Sequence, residues 1–197
     1  MPLVLGIRHA LVENPDGLVY GSLPGFRLSS EGRASAEDLA RVLARARVVA
    51  VVSSPLERAV ETARILAAPH GLEVRTEDRL LEWVAMTRWQ GEAWAELIRS
   101  EEYRALMVDP SAAPDLERPI VEAGRAVVAW AREAAERWPE GLVLGISHEA
   151  PLAAAYLVGR SGSFRDFRAT HIPHLSAVRL EPGPPELVDP AQALGAC

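Results

Sequence analysis

The chain has 197 residues, 49% of them apolar and 24% charged, so it can bury a core of ordinary size, and its length corresponds to one domain or at most two. The formal net charge of −6 argues against a nucleic-acid-binding scaffold, and no apolar run approaches the roughly 18 residues that cross a membrane. The single cysteine, Cys197, allows no disulfide within the chain, and the N-terminus lacks the features of a signal peptide, so we expect a cytoplasmic protein.

The first predicted element is a buried strand at residues 3–7, which ends in Arg8 and His9. Residues 13–25 are dense in proline, glycine, asparagine and aspartate, and this composition predicts a loop. A serine-capped amphipathic helix is predicted within residues 29–47. The first predicted strand is therefore followed by a guanidinium group and an imidazole, those of Arg8 and His9.

A second buried strand is predicted at residues 48–54, where it ends in two serines. A helix follows over 55–71, with Pro55 in its first turn and Arg58 just beyond. A third strand is predicted at 72–78. This part of the chain therefore alternates strand, helix and strand.

The segment 83–118 contains three of the five tryptophans, and we expect it to form two short helices that act as a cap or lid. An amphipathic helix is predicted at 120–138 and a buried strand at 141–147, which ends at His148. A helix with a proline in its first turn is predicted at 150–159.

The last predicted strand, at 174–181, alternates apolar and polar residues. The proline-rich tail at 182–197 is expected to be an edge strand or loosely attached. There is no internal repeat, so residues 1–197 are treated as one domain. The alternation of strands and helices predicts an α/β fold with a mostly parallel sheet.

Three of the predicted strands are followed directly by polar side chains. In α/β proteins with a parallel sheet, ligands bind at the carboxyl ends of the strands. Arg8 and His9 follow the first strand, Arg58 lies just beyond the second, and His148 follows the strand at 141–147. If these strands are neighbours, two histidines and two arginines converge. Two predicted helices also begin there, and their free N–H groups favour an anion.

An imidazole between guanidinium groups suits phosphoryl transfer. The arginines neutralise phosphate oxygens, and a neutral histidine attacks phosphorus to give a phosphohistidine. A second histidine stabilises the charge that develops. Glu82, beside Trp83, is the candidate general acid, because an apolar neighbourhood raises the pKa of a carboxyl group. Glu13 and Glu149 are rival donors. This chemistry requires no metal and no cofactor.

Four motifs resemble, in order, those of the histidine phosphatase superfamily, also called the phosphoglycerate mutase-like superfamily. They read IRHALVEN, SSPLERAVETA, RLLE and GISHEAPL, and the resemblance spans roughly residues 3–180. It implies a three-layer α/β/α sandwich with a mostly parallel central sheet.

The resemblance also implies roles for individual residues. His9 corresponds to the nucleophile, Arg8 and Arg58 to phosphate ligands, His148 to the electrostatic partner and Glu82 to the proton donor. Asn14 lies one position early relative to a phosphate-contacting asparagine of the family, and it is carried over as a further phosphate ligand.

The chain departs from the family pattern at several positions. Ala10 replaces a glycine, Val12 replaces a serine or threonine, and one extra residue follows the RLLE motif. Glu149 replaces the glycine after the second histidine and places a carboxylate beside the predicted phosphate pocket. His70 is interpreted as a helix cap, and two further histidines, at 171 and 174, as turn residues.

The sequence favours a metal-independent phosphomonoesterase that acts on a small phosphorylated metabolite. A cofactor-dependent phosphoglycerate mutase, which returns the phosphoryl group to another hydroxyl, is an alternative, and a degenerate, non-catalytic phospho-ligand-binding protein is a second. The expected partner is a small phosphorylated molecule, with no nucleic acid and no membrane. A homodimer is possible, but the sequence does not decide it.

Overall fold

The computed structural model of the chain describes residues 2–112 and 119–193. Within them the strands are β1 Leu3–Arg8, β2 Val48–Ser53, β3 Val74–Thr76, β4 Leu142–Ser147, β5 Ala177–Glu181 and β6 Glu186–Val188. The α-helices are α1 Ser30–Leu43, α2 Glu57–Ala67, α3 Trp94–Leu97, α4 Glu101–Leu106, α5 Ile120–Arg137, α6 Glu149–Gly159 and α7 Pro190–Ala193. Short 3₁₀ helices cover Ala68–His70, Asp78–Leu80, Val84–Trp89, Pro110–Ala112 and Phe164–Ala169.

The strands form one sheet in the order β3-β2-β4-β1-β5-β6. The first four of these strands are parallel, whereas β5 pairs antiparallel with β1, and β6 pairs antiparallel with β5. The predicted mostly parallel α/β sheet is therefore confirmed. The central pair, β1 and β4, runs in register from Leu3 opposite Leu142 to Arg8 opposite Ser147.

Helices cover both faces of the sheet, which gives the predicted three-layer sandwich. Alternate side chains of a strand point to opposite faces. Leu5 and Ile7 of β1 therefore pack in one apolar cluster with residues of α1 and α2, whereas Val4 packs in another with residues of α5 and α6. Both clusters consist of fully or nearly buried aliphatic and aromatic side chains. The central strands are apolar throughout because both of their faces are covered.

Three sequence predictions require correction. Pro55 does not lie in the first turn of α2, because that helix begins at Glu57 and Leu56 is its N-cap residue. The third strand is shorter than predicted, covering only Val74–Thr76. For the tail, the expected alternative of loose attachment is wrong over residues 182–193 and the alternative of an edge strand is confirmed, because β6 forms the sheet edge and Ala193 packs against the cluster beneath α1 and α2.

The segment 83–118 contains the two predicted short helices, α3 and α4, together with 3₁₀ turns. Positions 113–118 of this segment lie outside the described residues, as do positions 194–197, which include Cys197. Within residues 2–112 and 119–193, no helix is both long and apolar enough to cross a membrane.

Candidate active site

The carboxyl ends of β2, β4 and β1 meet at one edge of the sheet because the three strands are adjacent and parallel. Backbone hydrogen bonds extend this alignment past the strand ends. The N–H of His9 donates to the carbonyl of Ser147 at 3.0 Å, and the N–H of Ser54 donates to the carbonyl of Ile146 at 2.8 Å. The polar residues that follow these strands are thereby held side by side.

His9 is buried, with 1% of its surface exposed. Its Nδ1 lies 2.8 Å from the carbonyl oxygen of Ala10, and a carbonyl can only accept, so Nδ1 carries the proton. The lone pair is then on Nε2, which accepts a hydrogen bond from Nε of Arg58 at 3.2 Å. Burial, together with the charge of Arg58, lowers the pKa of His9 well below its ordinary value. His9 is therefore a neutral imidazole with a defined nucleophilic nitrogen.

Arg58 extends from the first turn of α2 into the interior and is 1% exposed. One of its terminal nitrogens donates to the carbonyl of Gly21 at 2.7 Å, and its guanidinium lies 4.7 Å from the ring centroid of Tyr20. The loop before α1 thus supplies both an acceptor and an aromatic face for this cation. These contacts fix the guanidinium beside Nε2 of His9.

Arg8 is the last residue of β1, and its guanidinium has two partners. One terminal nitrogen lies 2.7 Å from a carboxylate oxygen of Glu149 and donates to the carbonyl of Ile172, also at 2.7 Å. The other oxygen of Glu149 lies 2.5 Å from Nδ1 of His171. The residue that departs from the family pattern therefore forms an ion pair with the first predicted phosphate ligand.

His148 is fully buried, and its ring centroid lies 5.1 Å from that of His9. Its Nε2 lies 2.8 Å from the hydroxyl oxygen of Ser54, and its Nδ1 lies 3.9 Å from a carboxyl oxygen of Glu82. Burial, reinforced by the charge of Arg58, lowers the pKa of His148 well below its ordinary value. A second neutral imidazole thus faces the first.

Glu82 has a side chain that is 15% exposed. One of its oxygens accepts a hydrogen bond from the backbone N–H of Trp83 at 2.9 Å. Burial raises the pKa of Glu82, and this effect exceeds the opposing effect of the nearby Arg58 charge. A raised pKa is the property that a general acid working near neutral pH requires.

A loop after α6 closes the site from the side of β5. Nδ1 of His174 donates to the carbonyl of His9 at 2.9 Å, and the two rings lie 5.2 Å apart. The following residue, Leu175, has a left-handed backbone with φ of 61°, and its N–H donates to the carbonyl of Arg8 at 3.0 Å. Such a conformation is costly for a residue with a branched side chain, so the hydrogen bond to β1 fixes this loop in place.

Next to these residues lies a cavity of about 280 Å³, which Arg8 and His9 line, whereas Arg58 and His148 do not line it and instead contact His9. Arg8, His9, Glu82 and Glu149 form what is called its polar end, Arg168 and Thr170 are further polar lining residues, and large apolar and aromatic side chains line most of the remainder. Within the described residues, Nε of Arg8 and Nδ1 of His148 are buried without a hydrogen-bond partner. Arg8 lines the cavity, so an anion bound there would give its Nε a partner.

Asn14 does not line the cavity. Its side-chain amide donates to the carbonyl of Leu18 and accepts from the N–H of Leu18, both at 2.9 Å, so its hydrogen-bonding groups hold the loop after β1. The rival donor Glu13 is exposed and also does not line the cavity, whereas the rival Glu149 does. The geometry therefore gives Asn14 a place in the loop rather than at the phosphate pocket.

The departures at positions 10 and 12 have structural partners. Ala10 is fully buried in a small apolar cluster with Leu28 and Ala36, and its N–H donates to the hydroxyl of Thr62 at 3.1 Å. Val12 forms an isolated bridge with Leu28. Neither position lines the cavity, and both are joined to Leu28, just before α1.

Several residues of the site are not predicted by the sequence. His171 and His174 are interpreted from the sequence as turn residues, but they contact Glu149 and His9. Tyr20 lies in a loop with no periodic pattern, so no sequence signal points to its contact with Arg58. Among residues 2–112 and 119–193, no group of three or more histidines, cysteines or carboxylates is arranged to hold a metal ion.

The model of the histidine phosphatase superfamily, branch 1, matches residues 4–188 of the chain. The chain belongs to the histidine phosphatase superfamily. It is 30% identical over 154 residues to phosphoserine phosphatase 1 of Hydrogenobacter thermophilus, an alignment that covers 76% of this chain and 72% of that protein. The predictions of the family and of the enzyme class, a histidine phosphatase, are thereby confirmed.

One further sequence relative and one solved structure are similar to the chain. The uncharacterised protein Rv0525 of Mycobacterium tuberculosis is 51% identical over 76 residues, which cover 39% of this chain and only 38% of that protein. The solved structure of mycobacterial glucosyl-3-phosphoglycerate phosphatase Rv2419c with VO₃ superposes with a TM-score of 0.79 at 24% identity, covering 94% of this chain and 96% of that chain. The latter shows a shared fold.

Proposed function

We propose that this histidine phosphatase is a phosphomonoesterase that hydrolyses small phosphorylated molecules through a phosphohistidine on His9. The observation that carries the proposal is the state of the His9 ring. The hydrogen bond from its Nδ1 to the carbonyl of Ala10 leaves the lone pair on Nε2, which lies beside the Arg58 guanidinium. A neutral imidazole held in one tautomer next to a cation is prepared to attack a phosphate group.

In the proposed first step, Nε2 of His9 attacks phosphorus and the bond from phosphorus to the ester oxygen breaks. Arg8 and Arg58 bind the phosphate oxygens, and His148 faces the charge that develops on them. The protonated Glu82 donates its proton to the leaving alkoxide. The products of this step are the free alcohol and N-phosphorylated His9.

In the second step, Glu82 accepts a proton from water as the water oxygen attacks phosphorus. The bond between phosphorus and Nε2 breaks, inorganic phosphate leaves, and both His9 and Glu82 return to their starting states. The buried Nε of Arg8, which has no hydrogen-bond partner among the described residues, supports an anion site here, since a phosphate oxygen would satisfy it. The names of the relatives support a phosphorylated small molecule as substrate, because the compared proteins with named activities are phosphatases.

The test uses His9→Gln, which keeps the size of the side chain and removes the nucleophilic ring nitrogen. Rapid quench with ³²P-labelled ethyl phosphate should trap an acid-labile, base-stable phosphoenzyme in the native protein and none in the variant. Because His9 is buried, far-ultraviolet circular dichroism and the melting temperature must show that the variant folds. Undiminished hydrolysis by a folded His9→Gln protein would require another nucleophile.

Reaction mixtures that contain 3-phosphoglycerate in place of ethyl phosphate distinguish hydrolysis from transfer to another hydroxyl. A mutase would return the phosphoryl group to a hydroxyl and release isomerised phosphoglycerate, whereas the proposed enzyme releases inorganic phosphate. Release of phosphate in step with the loss of ester, without isomerised product, is the result expected here.

A further inference from the structure

The cavity next to the catalytic groups has a wall that is unusual for a site of small polar metabolites. Beyond its polar end it is lined mainly by large apolar and aromatic side chains. They are Trp83, Met86, Trp94, Tyr103, Met107 and Phe167. Each methylene placed against such a wall is removed from water, which favours binding of an apolar group.

The wall is held in shape by packing between its own members. The rings of Trp83 and Phe167 lie 6.1 Å apart in an edge-to-face arrangement, and those of Trp94 and Tyr103 lie 6.2 Å apart in the same manner. Trp83, Met86 and Met107 are buried. Aromatic rings fixed in this way form a pocket that exists before a ligand arrives, so little ordering is required on binding.

The polar end of the cavity has too little positive charge to bind a second anionic group in addition to a phosphate. Arg8 and Arg58 are the two predicted phosphate ligands, of which Arg8 lines the cavity and Arg58 contacts His9, and the carboxylate of Glu149 lies 2.7 Å from Arg8. These three groups carry a net charge of +1, and a phosphate monoester carries about −2 near pH 7, so no positive charge remains for a second anionic group. Among the described lining residues, the remaining arginine is Arg168, which is exposed, so water and salt screen its charge.

We propose that the preferred substrates are phosphomonoesters of apolar, aromatic-sized alcohols, and that Glu149 discriminates against esters that carry a second anionic group. This inference rests on the proposed function and names its substrate class. Phosphatases whose substrates carry a carboxylate would therefore differ from this chain in specificity. A substrate carboxylate in this cavity would be repelled by Glu149 at the polar end and would lose its hydration against the apolar wall.

The experiment compares kcat/KM for ethyl phosphate, 2-phenylethyl phosphate, 3-phosphoglycerate and phosphoserine. All four are esters of primary alcohols, so the leaving groups are alike and differences report on binding of the rest of the molecule. We expect 2-phenylethyl phosphate to exceed ethyl phosphate by about tenfold or more, the usual worth of filling an apolar pocket. Both carboxylate-bearing esters should fall below ethyl phosphate.

Two neighbouring substitutions test the wall. Met107→Gln keeps the length of the side chain and places an amide in the wall, so it should remove most of the preference for the phenylethyl ester, measured as the ratio of kcat/KM for the phenylethyl ester to kcat/KM for ethyl phosphate. Val108→Gln is the matched control, because Val108 is 66% exposed and does not line the cavity. Its kcat/KM values should equal those of the native chain. Glu149→Gln should raise kcat/KM for 3-phosphoglycerate, relative to ethyl phosphate, by about tenfold.

The outcomes distinguish this inference from the proposed function. Equal or better hydrolysis of 3-phosphoglycerate or phosphoserine, compared with the phenylethyl ester, would overturn the substrate class while leaving the phosphatase activity intact. Loss of the preference in Val108→Gln as well as Met107→Gln would also overturn the role of the wall. No hydrolysis of any of the four esters by folded protein would overturn both proposals.

Discussion

Two carboxyl groups line the same cavity, and their surroundings prepare them for different tasks. Glu82 is mostly buried and has a raised pKa, so it can hold a proton to donate. Glu149 is 34% exposed, and its two oxygens contact Arg8 and His171. Of the three candidate donors, Glu82 therefore has the surroundings of a general acid.

If Glu82 donates the proton, its loss should matter most when the leaving group is a strong base. Glu82→Gln should slow phosphorylation of the enzyme by ethyl phosphate by about 10²–10⁴-fold, the usual contribution of a positioned acid. The same change should barely affect phosphorylation by p-nitrophenyl phosphate, because p-nitrophenolate leaves without a proton. Rapid-quench burst kinetics measure this step apart from dephosphorylation, in which Glu82 acts as a base.

Equal losses with both leaving groups would remove Glu82 from the acid role and direct attention to Glu149. In the Glu82→Gln variant the amide oxygen of the new side chain can still accept the backbone N–H of Trp83, so the substitution keeps the hydrogen bond that positions this side chain. The melting temperature of the variant provides the control for folding.

At the scale of single residues, sequence reasoning succeeds where a side chain follows directly from a strand or belongs to the helix after it. Arg8, His9, Arg58 and His148 are expected to converge, and the neighbouring positions of β1, β4 and β2 bring them together, with Arg8 and His9 lining the cavity and Arg58 and His148 in contact with His9. Asn14 lies in an irregular loop, where position along the sequence does not predict direction. The contacts of Tyr20 and His174 depend on how loops pack, which sequence spacing does not encode.

At the scale of elements, apolar periodicity predicts the helices and the buried strands, but it does not always predict the residues at which they begin and end. The helix after β2 begins two residues beyond Pro55, because Leu56 keeps an extended backbone as the N-cap. The sequence leaves the proline-rich tail as an edge strand or a loosely attached segment, and the structure shows the edge strand, because Glu186–Val188 pairs with β5. Pairing with an existing sheet edge provides hydrogen bonds that decide between alternatives that the local sequence leaves open.

The close packing of β4 against α5 can be tested by adding one methyl group to β4. Gly145 lies in the middle of β4, and a Cβ atom there would lie 2.2 Å from a ring carbon of Trp130 on α5. Gly145→Ala should therefore lower the free energy of unfolding by about 1–3 kcal/mol, the usual cost of overpacking. Urea unfolding followed by circular dichroism measures this change.

A double-mutant cycle identifies the cause of that loss. Trp130→Leu removes the ring that the new methyl group would meet, so Gly145→Ala should cost less in the Trp130→Leu background than in the native chain. Equal costs in both backgrounds would show that the loss comes from the backbone of β4 and not from contact with α5.

At the scale of the whole molecule, the site places two neutral imidazoles in the interior at the carboxyl edge of the sheet. His9 is 1% exposed and His148 is not exposed at all. Burial lowers the pKa of both well below the ordinary histidine value, so neither takes up a proton in the folded state near pH 6. In the unfolded chain both are ordinary histidines, which protonate below about pH 6.5.

This difference links stability to pH with a definite sign. Between about pH 6.5 and the lowered pKa values, the unfolded state binds more protons than the native state, so the free energy of unfolding falls as the pH falls. Each histidine contributes a slope of up to about 1.4 kcal/mol per pH unit in that window. Glu82 opposes this slope above its ordinary range, because its raised pKa keeps a proton on the native state.

Urea unfolding at pH values between about 7 and 5 should therefore show stability decreasing toward acid in the native chain. His148→Asn removes one of the two buried imidazoles and should reduce the slope, and the double variant with His9→Gln should reduce it further. The slope is the measured quantity because it reports proton uptake, whereas the stability at any single pH also includes the packing cost of each substitution. An unchanged slope in the double variant would mean that the native state accommodates charged imidazoles at these positions, and His9 would then be a far weaker nucleophile in mild acid than the site geometry indicates.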